Sequence, residues 1–212
     1  MKKVKKIHIH DMQPVLMIAK YPQATIRFCI MFRPLIYFFF IGIVGSFSVE
    51  LSKFVNTEYL FQYTLGDIVA STMIFSVMTF VISTSISAAL IQFLGKMLGG
   101  KGNFKQMFRA ISLTYIPYIW ILPMLLFWMQ LSPESYFVVP GKELTIGDQL
   151  MTYVGPIVIL IASIWSLFLI VKAIQEVQRL SILRSILSLL LLVVVTVSFA
   201  IILFMTTGIL LI

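Results

Sequence analysis

Few residues of this chain combine a type and a spacing that suit chemistry. His8 and His10 would share one face of an extended segment beside Asp11, but two imidazoles and one carboxylate make a weak metal site. Ser46 follows Gly45, yet an intramembrane serine protease needs a histidine or lysine base beside a buried serine, and both histidines precede residue 11. We therefore expect no catalytic residues, no metal site, and a protein that is not an enzyme.

A glycine-rich segment, Gly99–Asn103, is similar to a loop that binds anions through backbone N–H groups. It lacks the Gly-Lys-Ser/Thr ending of a nucleotide-binding P-loop, and no soluble strand–helix unit surrounds it. The segment predicts a flexible basic turn beside anionic lipid, and we expect no cofactor.

The composition explains the scarcity of chemical groups. Of the 212 residues, 60% are hydrophobic and 11% are charged, with a mean hydropathy of +1.03. A soluble domain has about 45–50% apolar and about 25% charged residues, so this composition predicts an integral membrane protein. The excess of 16 Lys and Arg over 8 Asp and Glu fits a membrane surface better than nucleic acid. The lone Cys29 excludes an intramolecular disulfide and a cysteine-based zinc cluster.

Long uncharged runs give the expected architecture. A hydrocarbon core of about 30 Å needs roughly 20 helical residues, and continuous rather than alternating apolar runs argue against barrel strands. We predict an all-α, five-helix transmembrane bundle in residues 34–212, preceded by an interfacial segment in residues 1–33 that Pro14 and Pro22 divide. In that segment Arg27 is expected to extend to water, while Ile26 and its apolar neighbours lie among the headgroups. The spans are expected at about 34–55, 68–95, 110–131, 149–171 and 186–210, with Glu50 and Lys53 pairing near the end of the first.

The basic residues predict an orientation. Fourteen of the sixteen lie before the first span, after the second or after the fourth, whereas only Lys53 and Lys142 lie in the alternate loops. The positive-inside rule then places the N-terminus in the cytoplasm and the C-terminus outside, in the cell membrane.

The spans contain small and hydroxyl residues but, apart from the Glu50–Lys53 pair, no Asp, Glu, Lys, Arg or His, which argues against a pump or proton-coupled carrier. The small residues recur at helical spacing, and we interpret them as packing faces, with the cluster of the second span at the bundle centre. An alternative is a transporter or channel subunit with a path lined by Ser83, Thr84, Ser87 and Thr114. We expect four aromatic residues to be interfacial anchors: Trp120, Trp128, Trp165 and Tyr136. We expect static helix kinks at three prolines: Pro117, Pro123 and Pro156. The packing residues are Gly42, Ser46, Ser83, Ser87 and Ala88.

The inner loop and the third span resemble the Yip1 domain family. The resemblance rests on a glycine-rich turn, an aromatic residue after it, an amphipathic run and a proline entering the next helix. The segment Pro22–Arg27 is similar to the segment before the first span in bacterial members, and Trp165 followed by the polar loop Lys172–Arg184 also fits. The residues of the central motif are Gly99, Gly100, Gly102, Phe104, Phe108 and Pro117.

The resemblance implies a five-helix membrane protein with a cytoplasmic N-terminus. Eukaryotic members act in vesicle traffic and bind Rab-type GTPases, but their acidic-Leu-Tyr-Gly-Pro motif does not occur here, and only 33 residues precede the first predicted span. The resemblance therefore favours a bacterial member, with a non-enzymatic accessory or scaffold role beside other membrane complexes, such as ABC-type exporters. Besides the lipid bilayer, the expected partners are other membrane proteins or further copies of the chain. The loop Lys96–Arg109, with Phe104 and Phe108, is the expected contact surface.

Overall fold

The computed structural model describes residues 14–58, 63–137 and 143–209, and within these ranges it is helical and contains no strand. The possible metal tract at His8 and His10 lies outside the described residues. The helices, in chain order, are α1 (Pro14–Lys20), α2 (Pro22–Phe32), α3 (Leu35–Ser52), α4 (Leu65–Met97), α5 (Phe104–Ser112), α6 (Ile116–Leu131), α7 (Pro133–Tyr136), α8 (Ile146–Gln178) and α9 (Ile182–Ile209).

Five helical segments are long and apolar enough to cross a membrane, so the chain is a multi-pass membrane protein. The third segment is composite, because α5 continues through a 3₁₀ turn, Leu113–Tyr115, into α6. The five segments are Leu35–Ser52, Leu65–Met97, Phe104–Leu131, Ile146–Gln178 and Ile182–Ile202.

The helix ends differ from the predicted spans for local reasons. Helices α4 and α8 begin earlier than residues 68 and 149 because capping boxes start them, Thr64 with Asp67 and Thr145 with Asp148. Helix α3 instead ends at Ser52, before the predicted residue 55, and a turn follows. The pairing of Glu50 with Lys53 is confirmed, with a distance of 2.7 Å between Oε1 and Nζ.

Small residues let the helices approach α3 closely. A Cβ atom at Gly42 would overlap the ring of Phe80 from α4, and one at Gly45 would lie 2.6 Å from the Cβ of Tyr115. Ser46, one residue later, is buried. Close backbone approach of this kind is the usual packing of membrane helices, and it places α3 between α4 and α6.

Only one stripe of α4 faces the bundle. Thr84 and Ala88 are buried on it, Ser83 and Ser87 are half-buried beside it, and Ala89 is exposed. The hydroxyl-rich cluster of this helix therefore lies at the edge of the packed core, while much of the remaining helix surface is apolar and exposed, as lipid contact requires.

The end of the bundle formed by the α3–α4 and α6–α8 connections has its own small core, and here the prediction of interfacial anchors is wrong for two residues. Trp128 and Tyr136 are buried against each other, with ring centroids 5.1 Å apart. The indole N–H of Trp128 donates to Ser135 Oγ at 2.7 Å, and the hydroxyl of Tyr136 donates to the carbonyl of Leu51 at 2.7 Å. Both aromatic side chains find their polar partners within the protein, so they do not need the headgroup layer.

Candidate contact site at the glycine-loop end

The opposite end of the bundle brings together the segments that carried the family resemblance. We call it the glycine-loop end: the loop of residues 98–103 between α4 and α5, helices α2 and α5, and the carboxyl end of α8. Helix α5 starts directly after the loop because the side chain of Asn103 accepts a hydrogen bond of 2.9 Å from the N–H of Gln106, which caps its first turn.

A single buried side chain, Gln178 at the end of α8, organises the loop. Its Oε1 atom accepts a hydrogen bond from the backbone N–H of Gly102 at 2.9 Å, and its backbone carbonyl accepts one from the N–H of Lys101 at 3.2 Å. The N–H of Gly100 donates to the carbonyl of Gly95 at 2.7 Å. The loop is thus held to two helices by directed hydrogen bonds, which differs from the flexible turn that the sequence predicts.

The glycines are explained by how closely the loop surrounds Gln178. A Cβ atom at Gly95 would lie 2.8 Å from Cδ of Gln178, and one at Gly102 would lie 2.6 Å from the side chain of Val177. A Cβ atom at Gly100 would overlap Oε1 of Gln178, and Gly99 has a φ of 89°, which favours glycine. Real Cβ atoms do not fit at these distances, so the glycines form a tight cradle for one amide.

The sequence does not predict the role of Gln178 in holding the loop. Gln178 lies in the polar run Gln175–Gln178 at the end of the fourth span, which is a typical composition for a helix end in the headgroup region. Nothing in that run indicates a contact with a glycine 76 residues earlier.

The two phenylalanines of the expected contact surface have different environments. Phe104 is 42% exposed, on the first residue of α5. Phe108 is 7% exposed and packs against the rings of Phe39 and Phe80, with centroids 5.6 and 5.8 Å apart. The structure therefore places Phe108 in the core, where it is not available to a partner, and leaves Phe104 as the exposed aromatic residue of the motif. Pro117 is buried in the first turn of α6, directly after the 3₁₀ turn.

Helix α2 is attached to α8 rather than lying freely at the interface. Arg27 binds the carboxylate of Glu176 through two contacts, at 2.5 and 3.0 Å, and these contacts raise the pKa of the Arg27 guanidinium. Ile26 is fully buried in the core, which corrects the prediction that it lies among the headgroups. Arg109 of α5 donates to the carbonyl of Ile30 at 2.9 Å and so joins α2 to the loop region as well.

Positive charge is concentrated at this end. Within the described ranges every lysine and arginine except Lys53 lies here, and Glu176 is the acidic residue that accompanies them. Lys101 within the loop and Lys105, which directly follows Phe104 in the sequence, are both exposed. The described residues of the opposite end carry the remaining acids, so the two ends of the bundle differ in sign.

The arrangement is suited to contact rather than to bond chemistry. In the described part of the chain, no three His, Cys, Asp or Glu residues come close enough together to hold a metal ion. Cys29 is buried, and burial raises the pKa of its thiol to about 12, so the thiol stays neutral and is a poor nucleophile. The groups that this end offers to a partner are therefore exposed cations, the exposed rings of Phe104 and Phe32, and a fixed loop.

Comparison with known proteins agrees with this architecture. The Yip1 domain family model matches residues 26–204, which cover all five membrane-crossing segments and the glycine loop. The chain belongs to the Yip1 domain family. The family resemblance of the sequence is thereby confirmed, and the family is not known as a family of enzymes. Neither a curated protein nor a solved structure matches the chain.

Proposed function

We propose that this Yip1-family protein is a membrane scaffold or accessory factor that binds another membrane protein through its glycine-loop end. The observation that carries the proposal is the fixed loop: Gln178 holds the glycine turn, while Phe104 stays exposed directly after it. Exposed aromatic residues on a pre-organised surface are typical of binding hot spots, because little conformational freedom is lost on association.

The charges of this end suggest the chemistry of the partner. Lys101 and Lys105 flank Phe104, and neither side chain has an ion-pair partner in the described part of the chain. A partner segment with an apolar pocket and acidic residues at its rim would complement this surface. Components of an ABC-type exporter are the first candidates, in line with the family resemblance, and a second copy of the chain is the other.

Co-purification from native membranes tests the proposal. In gentle detergent, the tagged protein should retain a membrane partner in a fixed ratio. Phe104→Ala should reduce the recovered partner severalfold. Phe127→Ala is the matched control, because Phe127 is also exposed but lies towards the other end of the bundle. Recovery of the chain alone, or equal recovery with Phe104→Ala, would reject this surface.

A transporter or channel subunit remains the second candidate, because one cavity inside the helices contains hydroxyl groups. Its volume is about 260 Å³, and Ser87, Thr114 and Ser166 line it together with apolar residues. Of the four residues predicted for a polar path, Ser87 and Thr114 line this cavity, whereas Ser83 and Thr84 each lie 3.5 Å from the hydroxyl of Tyr115.

The hydrogen bonds of this cavity favour packing over transport. Thr114 Oγ1 donates to the carbonyl of Ile111 at 2.7 Å, and Ser166 Oγ donates to the carbonyl of Thr114 at 2.8 Å. Hydroxyl protons used on backbone carbonyls are not available to a permeating solute. Cysteine accessibility scanning at Ser87 and Thr114 distinguishes the candidates, since labelling by a water-soluble reagent would require an aqueous path.

A further inference from the structure

A second feature of the glycine-loop end lies apart from Phe104. A cavity of about 590 Å³ opens between α2 and the carboxyl end of α8. Its lining combines two guanidinium groups, one carboxylate and three amides with apolar side chains. A cavity that contains both polar and apolar groups at the end of membrane-crossing helices suits an amphiphilic ligand. The polar residues are Arg27, Arg179, Glu176, Gln23, Gln106 and Gln175, and the apolar ones include Ile30, Met31 and Leu180.

Arg179 is the unusual residue of this lining. It follows the last residue of α8 and has a φ of 56° and a ψ of 35°, in the left-handed region. Glycine is the usual residue where a helix ends in this conformation, because a side chain there is unfavourable. An arginine is therefore less favourable than glycine for the backbone conformation at this position. Unlike glycine, however, it supplies a guanidinium group to the cavity.

The charges of the cavity define the ligand further. Arg27 and Glu176 neutralise each other through their two contacts. The side chain of Arg179 is exposed and has no hydrogen bond or ion pair within the described ranges. The cavity therefore carries one uncompensated positive charge, which matches an anion with a single negative charge.

We propose that this cavity binds the phosphodiester of an anionic phospholipid, with Arg179 as the main charge contact. The phosphodiester of an anionic phospholipid carries one negative charge that no headgroup cation offsets, unlike that of phosphatidylcholine, and guanidinium and amide N–H groups are suited to its oxygens. The glutamine side chains can also accept hydrogen bonds from headgroup hydroxyls. Met31 and Leu180 at the same cavity give the glycerol and the first acyl carbons an apolar surface. The proposal goes beyond the scaffold function, since it assigns a lipid ligand and residues other than Phe104.

The test measures lipid binding to the purified full chain in detergent by native mass spectrometry. Phosphatidylglycerol should form a one-to-one adduct at concentrations where phosphatidylcholine does not. Arg179→Gly should weaken that adduct about tenfold, the loss expected for a charged hydrogen-bond partner. Because glycine suits the left-handed conformation, this variant should unfold at the same temperature as the parent or higher. Arg179→Asn, which also tolerates this conformation, should weaken binding equally.

The control is Lys105→Gln, which removes an exposed charge from the same end but does not line the cavity, and it should leave the adduct unchanged. The proposal would be overturned if Arg179→Gly and Arg179→Asn bound phosphatidylglycerol as strongly as the parent protein does, or if Lys105→Gln weakened the adduct as much as the Arg179 variants do. Equal binding of phosphatidylcholine would show that the headgroup is not selected. Displacement of the lipid by inorganic phosphate at the same concentration would assign the cavity to a soluble anion instead of a lipid.

Discussion

The side-chain carbonyl of Gln178 accepts a hydrogen bond of 2.9 Å from the backbone N–H of Gly102, across 76 residues of the chain. This contact joins the end of the fourth membrane-crossing helix to the loop that precedes the third. It fixes the turn from which Phe104 projects. The glycine motif of this Yip1-family chain therefore has a structural explanation that does not involve a nucleotide or any other bound anion.

The first prediction concerns the glycines themselves. Gly100→Ala places a methyl group on Oε1 of Gln178, and Gly102→Ala places one 2.6 Å from Val177. Each should lower the free energy of unfolding by about 1–3 kcal/mol, the usual cost of overpacking. Gly66→Ala is the matched control, because its nearest neighbour is 3.7 Å away at Thr64 Oγ1 and alanine favours a helix. Thermal unfolding in one detergent compares all three, and equal melting temperatures would refute the cradle.

The second prediction concerns Gln178. Gln178→Leu keeps the approximate size of the side chain but leaves the N–H of Gly102 without its acceptor, which should cost about 1–3 kcal/mol. Hydrogen exchange should rise most at the amide of Gly102, which loses its side-chain acceptor, and less at Lys101, whose acceptor is the backbone carbonyl that the substitution retains. Gln130→Leu, which removes an exposed amide near the end of α6 at the other end of the bundle, should change neither stability nor exchange in the loop. Unchanged protection of Gly102 in Gln178→Leu would contradict the contact.

The third prediction uses the one cysteine. Burial raises the pKa of the Cys29 thiol from an ordinary value of 9.0 to about 12. Because the folded state holds the neutral thiol, its contribution to stability is complete below pH 9 and is lost as the pH rises from 9 towards 12. In native membranes, maleimide labelling should be slow at both pH 7.5 and pH 9. In denaturing detergent it should be fast and should accelerate with pH, so fast labelling of the native protein would argue against a buried α2.

The division of charge between the two ends supports a fourth prediction, for the orientation. If the basic end faces the cytoplasm, Glu143→Cys should react with an impermeant maleimide on intact cells. Lys101→Cys should react only after the cells are permeabilised. Both residues are exposed, and both substitutions are made in a Cys29→Ser background. The reverse pattern would place the glycine-loop end outside.

Those parts of the fold that depend on local sequence could be predicted. Uncharged runs of helical length indicate membrane-crossing helices because a bilayer tolerates few charges, and the pair Glu50–Lys53 follows from one helical turn. The sequence also contains the signal for the early starts of α4 and α8. Their N-cap residues, Thr64 and Thr145, each lie three residues before an aspartate, as in a capping box.

The parts that depend on long-range packing could not be predicted. Phe104 and Phe108 have the same side chain and lie one helical turn apart. Phe108 is buried because it packs against Phe39 and Phe80 from other helices, and the sequence does not indicate those contacts. Trp128 has the residue type and the position near a span end that are typical of an interfacial anchor. It instead packs on Gly155, which has no side chain and so leaves room for the indole ring. A single sequence does not indicate that Gln178 contacts Gly102. Any residue other than proline has a backbone N–H that can donate to the glutamine side chain, so the hydrogen bond leaves no pattern in the sequence.

Photocrosslinking in living cells shows whether the fixed loop presents Phe104 to another membrane protein. A photoreactive phenylalanine analogue replaces Phe104 in one strain and Phe127, which is exposed towards the other end of the bundle, in a second. We expect a discrete crosslinked protein product from position 104 and none from position 127. The absence of a product from position 104, or the same product from both positions, would contradict it.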